Sequence, residues 1–228
     1  MYIYFLNFAP NKTSFVMKLI IKQIVWLILV ITCFSACEPA PLQPAQSYAQ
    51  FQSFSQLEIG SGFSVELQPG LQRQVLLYAT NDQQERLSIR ETNGLLSIHI
   101  QGNRGTTQPR LLITTPVLEA LTLQGQTQLT TGHFDLPALQ VHLMGSSSIT
   151  MTGKIDQLTA SLTGGSIYHG FGAPTRLATM SLSGGSEAQL NASQRIDLTA
   201  TGGSLLRYKG SASVEQNILL GGSRIVPE

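Results

Sequence analysis

From about Phe54 the chain alternates apolar and polar residues with a period of two. Phe63, Val65 and Leu67 fall on one face, Leu87 and Ile89 on another, and Leu96, Ile98 and Ile100 follow. That period predicts strands, because successive side chains of a strand point to opposite sides. Between the last two runs stands Asn93-Gly94, a pair that tolerates positive φ and so predicts a hairpin turn. Residues 54–118 therefore read as an antiparallel β region, closing at TTPVLEAL.

Beyond that point the pattern repeats on a longer scale. Gly125, Gly145, Gly164, Gly184, Gly202 and Gly221 are separated by 20, 19, 20, 18 and 19 residues. Two residues before them stand Leu123, Leu143, Leu162, Leu182, Ala200 and Leu219; four after stand Leu129, Ile149, Tyr168, Ala188, Leu206 and Ile225. Two after, a hydroxyl is always present: Thr127, Ser147, Ser166, Ser186, Ser204 and Ser223. A near-constant step of this kind predicts stacked coils.

The columns have physical causes. Residues at −2 and +4 can stack inside as apolar ladders, each buried Leu or Ile contributing ~1.5–3 kcal/mol. The glycines supply positive φ at a sharp corner, and the hydroxyl can bond a turn amide or its neighbour one coil away. The predicted structural corner comprises Gly145, Gly164, Gly165, Ser166, Gly184, Gly185, Ser186, Gly202, Gly203, Ser204, Gly221, Gly222 and Ser223. A small residue eight positions after the corner (Gly153, Gly172, Ala192, Gly210) predicts a second bend.

Two or three short strands per coil and no helical periodicity predict an all-β chain. It is a right-handed parallel β-helix (β-solenoid) of about 20-residue coils over 119–228, preceded by the antiparallel region at 54–118. A β-sandwich is the alternative, but it gives no reason for one hydroxyl column through six repeats.

The N-terminus has a different composition. From Met17, lysines 18 and 22 precede an apolar run of 11 residues, Ile24 to Phe34, then Ser35, Ala36 and Cys37. The run is shorter than the ~20 residues that span a bilayer, and the layout is that of a signal peptide. FSAC resembles a bacterial lipobox, in which the cysteine is lipidated; this makes 1–37 a leader and Cys37 the lipidation site. Phe34 stands where Leu is usual, and Cys33 is an alternative with a poorer small-residue context. Ordinary secretion and an uncleaved anchor are the other readings. The 16 residues before Met17 fit no part of a signal peptide, so Met17 is the expected start. Residues 38–53, rich in Pro, Gln and Ala, read as a flexible tether.

Cys33 and Cys37 are the chain's only cysteines, so the processed domain would carry no disulfide and no thiolate metal site. Removing Lys12, Lys18 and Lys22 from 14 basic residues leaves 11 against 13 acidic ones, a net charge of −2. No basic stripe favours nucleic acid.

Catalytic chemistry finds little support. Calcium-binding repeats need an Asp after the glycine pair, and GGSIYHGFG, GGSEAQLNA and GGSLLRYKG have none there. His99, His133, His142 and His169 share no column, so no metal site and no cofactor are expected. Asp156 and Arg176 align at −8, with Arg195 at −7 in the next coil. One carboxylate between two arginines suits a surface ion pair better than the paired carboxylates of polysaccharide cleavage.

The leader, the opening FSQLEIGSGFSVELQPG, the segment GLLSIHIQ, the TTPVLEALTLQG stretch and the successive LxGGS turns together resemble the "putative auto-transporter adhesin, head GIN domain" family of bacterial envelope proteins. The resemblance covers 54–228. It implies an exported, β-helical domain with an adhesin-like role and no catalytic motif. The expected function is non-enzymatic binding by an outer-membrane lipoprotein, facing the periplasm or the cell surface. Its partners would be the membrane, through the lipid, and a glycan or surface protein met by neutral polar side chains with Tyr168, Phe171 and Tyr208. A structural or assembly protein of the envelope, its coils adding to another subunit near Gly221–Glu228, is the alternative, with homo-oligomers as one form of it. A polysaccharide-cleaving enzyme is the weakest reading.

Overall fold

The computed structural model describes residues 41–103 and 105–228. The leader, Met17 and Cys37 lie outside them. The described chain is all-β apart from one short helix, and its parallel ladders form a β-solenoid of about five turns. This disfavours the sandwich, whose sheets are antiparallel.

In chain order the strands are β1 (Gln46–Ser47), β2 (Gln56–Ile59), β3 (Ser64–Pro69), β4 (Gln74–Tyr78), β5 (Leu87–Thr92), β6 (Leu95–Ile100), β7 (Arg110–Thr115) and β8 (Ala120–Leu123). The long strands β9 (Gln128–Leu143), β10 (Ser148–Leu162), β11 (Ile167–Leu182) and β12 (Glu187–Ala200) follow, then β13 (Leu205–Lys209), β14 (Ser213–Leu219) and β15 (Arg224–Pro227). Helix α1 (Asn81–Glu85) separates β4 from β5.

The region read as antiparallel is mixed. β4 pairs antiparallel with β1 and β7, and β5 with β6, through a turn with Asn93 at φ 50° and Gly94 at φ 79°. Yet β2 lies parallel to β6 and β8, and β3 parallel to β7 and β9. The parallel stack thus begins at Gln56, with a first corner at Ser61-Gly62 (φ 64° and 67°). Phe63, fully buried, stands there in the place that later coils give to a hydroxyl. Residues 43–53, expected as tether, are docked: Gln43 N–H donates to Ala79 O (3.0 Å) and Tyr48 N–H to Val75 O (3.0 Å). Tyr48 stacks on the buried Phe51 with ring centroids 6.3 Å apart, an apolar pair that outweighs the polar composition around it.

Helix α1 joins β4 to β5 and is locked by its own caps. Its capping box is complete, with Gln83 N–H donating to Thr80 Oγ1 (3.3 Å) and Thr80 N–H donating to Gln83 Oε1 (3.0 Å). The buried Gln83 amide also donates to Thr107 O (2.7 Å), tying the helix to the loop before β7.

Inside the stack the ladders run in register. Ile98, Ile59, Leu123, Leu143, Leu162, Leu182, Ala200 and Leu219 form one column. Leu129, Ile149, Tyr168, Ala188, Leu206 and Ile225 form another. Tyr168 is the bulky member, accommodated by Gly170 on its own strand and Ala188 in the next coil: a Cβ at Gly170 would lie 2.1 Å from the ring. Its hydroxyl finds no hydrogen-bond partner, and burial pushes the phenol well above its ordinary pKa.

Each corner is held in two ways. The backbone ladder passes through it: Ser146 N–H donates to Gly164 O (3.0 Å), Gly165 N–H to Gly184 O (3.0 Å) and Gly185 N–H to Gly202 O (2.9 Å). The hydroxyls act within their own coil, donating to the carbonyl three residues back. The distances run from 2.6 Å (Thr127 to Gln124) through 2.7 Å (Ser147 to Met144) to 2.8 Å at Ser166, Ser186 and Ser204 and 2.9 Å at Ser223. They satisfy corner carbonyls where amides were expected; Ser223 alone also accepts across coils, from Ser204 N–H at 3.1 Å.

The two glycine columns differ. A Cβ on Gly184 would come 3.3 Å from Gly164 N, and on Gly202 3.1 Å from Gly184 N, so stacking itself crowds a side chain there, on top of the positive φ. At Gly185 and Gly203 a Cβ would meet nothing, and only φ (75° and 77°) favours glycine. Accordingly the second position holds Gln126 and Ser146 in two coils, at φ 65° and 61°.

The second bend is a register shift rather than a second tight corner. β9 to β12 run 14–16 residues each. The ladders slip between Thr150 and Thr152 and between Gly170 and Thr175. Coils of unequal length are reconciled there, which leaves the corners aligned.

Two stability predictions follow from this packing. Gly185→Ala should cost about 1–2 kcal/mol, the left-handed penalty alone, and Gly202→Ala clearly more, as measured by urea unfolding; equal costs would refute the distinction. Tyr168→Phe, which removes an unpartnered buried hydroxyl, should leave stability unchanged or raise it by about 1 kcal/mol, and a loss would reveal a hidden partner.

A candidate binding face

The downstream halves of the long strands form one parallel sheet whose outer positions align across coils. One outward column reads Gln140, Thr159, Thr179, Asp197; two residues on, the next reads His142, Ser161, Ser181, Thr199 and continues back to Thr122. Thr159, Thr179 and Ser181 are exposed, and Ser161 and Thr199 half-buried. Parallel pairing fixes the spacing at ~4.8 Å between coils and ~6.6 Å along a strand. The result is a lattice of short hydroxyls, each a donor and an acceptor, bounded by His142 and Asp197. In the sequence its parts stand as LTASL, ATMSL and DLTA, and only the register of the coils brings them side by side.

The aromatic side chains expected to serve binding are placed otherwise. Tyr168 is wholly internal and cannot stack on a ligand. Phe171 is half-buried, with the Lys209 ammonium 4.9 Å from its ring centroid, and Tyr208 packs partly against the core.

The histidines are scattered. His133 Nε2 lies 3.5 Å from Asp135 Oδ1, His169 Nδ1 lies 3.2 Å from Gln189 Oε1, and His142 stands on the hydroxyl face. Among the described residues no three His, Cys, Asp or Glu side chains converge as metal ligands would.

The aligned charges pair only with neighbours. Arg176 grips Asp156 with both Nε (2.6 Å) and Nη2 (2.9 Å) and donates to Gln194 Oε1 (2.9 Å). The guanidinium beside Asp156 holds its carboxyl below the usual carboxylate range. Arg195 turns away from this pair, to Asp197 (3.1 Å) and Glu215 (3.8 Å), so the three-residue cluster suggested by spacing is not assembled.

The comparisons with known proteins agree with this architecture. Residues 53–212 match the "putative auto-transporter adhesin, head GIN domain" family, and the chain belongs to it. Its fold is similar to that of a "putative adhesin" from Bacteroides fragilis, with a TM-score of 0.68 at 15% identity, covering 84% of this chain and 100% of that one. A "putative lipid binding protein" from Parabacteroides distasonis has a TM-score of 0.54 at 13% identity, covering 84% and 98%. Among curated proteins the sequence has no match.

Proposed function

We propose that this protein is a lipid-anchored, non-enzymatic binding protein of a bacterial cell envelope, and that the hydroxyl face is where it meets an extended polymer, a glycan by preference. The observation that carries this reading is the lattice of Thr159, Ser161, Thr179, Ser181 and Thr199, an array of uncharged donors and acceptors held in parallel register. A polymer lying across the coils would find a fresh pair of hydroxyls about every 4.8 Å. Family membership supports the adhesin-like role, and the Ser35-Ala36-Cys37 sequence supports the anchor.

Two experiments test it. On a glycan array the full chain should bind a subset of polysaccharides. A Thr159→Val, Ser161→Ala, Thr179→Val, Ser181→Ala variant should lose about tenfold or more in affinity, as removal of several hydrogen bonds of ~0.5–1.5 kcal/mol implies, with unaltered thermal stability. Glycan binding indifferent to the variant would remove the face from consideration. For the anchor, cells fed a palmitate analogue should label the wild type and not Cys37→Ala; persistent labelling would place the lipid elsewhere.

A further inference from the structure

The first coil lacks a segment that the later coils have. After β3 the chain leaves the stack, and when it returns through β7 it passes directly to β8 by way of Pro116–Glu119. On its N-terminal side β9 is therefore paired with β3 only as far as Thr131, and with β8 only from Gln140. Gln68 and Pro69 lie over Gly132, where a Cβ would be 2.1 Å from Gln68 Oε1. Among the described residues, the strand from His133 to Ala138 is paired on one side alone, with β10. Beside this open edge is a groove of about 650 Å³ between Val117 and Leu136, with Pro116 and Pro137 in its walls and Glu119 and Asp135 at its rim. Val117 is 43% exposed.

We propose that this gap binds peptides by strand addition. An extended segment of another polypeptide, bearing a lysine or arginine next to an apolar residue, pairs with His133–Leu136 and completes the first coil. Unpaired strand edges with an adjoining pocket recognise extended peptides through main-chain hydrogen bonds, with side chains giving specificity. The filled side of the same strand shows the required chemistry: Lys154 lies opposite Asp135 and Ile155 opposite Leu136. A segment on the open side would set its cation against Asp135, whose side chain is 73% exposed, and its apolar neighbour over Leu136. Glu119, which accepts from Ser55 Oγ at 2.8 Å, adds a second carboxylate at the rim. Pro137 has no N–H to offer and bounds the site, so recognition is limited to about four residues. The site adjoins the hydroxyl face only at Gln140 and shares none of its hydroxyls, so failure of either reading leaves the other standing.

The probe is a fluorescein-labelled, end-capped peptide with the sequence of residues 152–157, Thr-Gly-Lys-Ile-Asp-Gln, titrated into the full chain in detergent. Anisotropy should saturate, and exchange-labile amides within 133–136 should become protected. Methylating the peptide's backbone nitrogens should weaken binding about tenfold or more, by leaving main-chain groups unpaired. Asp135→Lys should weaken it about two- to fivefold, the worth of one cross-strand charge pair, and a Lys→Glu peptide should bind that variant better than the wild type. Absence of saturable binding, unchanged exchange at 133–136, or equal binding of the methylated peptide would overturn the proposal.

Discussion

The close approach of successive corners is the constraint on which the rest of this structure depends. A Cβ on the first corner glycine would stand 3.1–3.5 Å from the backbone nitrogen of the corner before, in contact throughout and crowded most at Gly202 and Gly221. Stacked strands must lie ~4.8 Å apart to keep their hydrogen bonds, and a corner that held them farther apart would break the ladder on both sides. The exception proves the cause. In the first corner Ser61 can carry a side chain because no corner precedes it, and its hydroxyl both donates to Ile100 O and accepts from Ile100 N–H, at 3.0 Å each.

Once the corners are fixed, the interior follows. Apolar residues succeed one another in each column, and where their size differs the bulk is balanced locally, as where Tyr168 is met by Gly170 and Ala188. Polar groups that the corners bury are answered by the hydroxyl column. Stability resides in contacts between neighbouring coils, so the outward columns carry little of it. The hydroxyl face is thus free to vary in a way that the inward columns are not.

The sequence was legible where one cause acts in every repeat. The corner period, the inward ladders and the Asn93-Gly94 hairpin could all be read directly. The first coil could not, because Ser61-Gly62-Phe63 replaces glycine and hydroxyl for reasons peculiar to an end position. Nor could the docking of 43–53, which rests on Tyr48 and Phe51 in an otherwise polar stretch. Spacing suggested a three-residue charge cluster, but the rotamer of Arg195 follows Asp197 instead. The two proposed binding surfaces were the least visible: the hydroxyl lattice exists only after register is known, and the open edge lies where no described strand pairs with β9.

Because each hydroxyl closes the carbonyl of its own corner, a coil carries its corner chemistry with it. Removing or duplicating one coil strands no buried hydroxyl, and length differences are absorbed at the bend near 150–152 and 170–175. Such a domain can be lengthened or shortened by recombination in units of a single repeat, so the length of its stack is a quantity that selection can adjust without redesigning the fold.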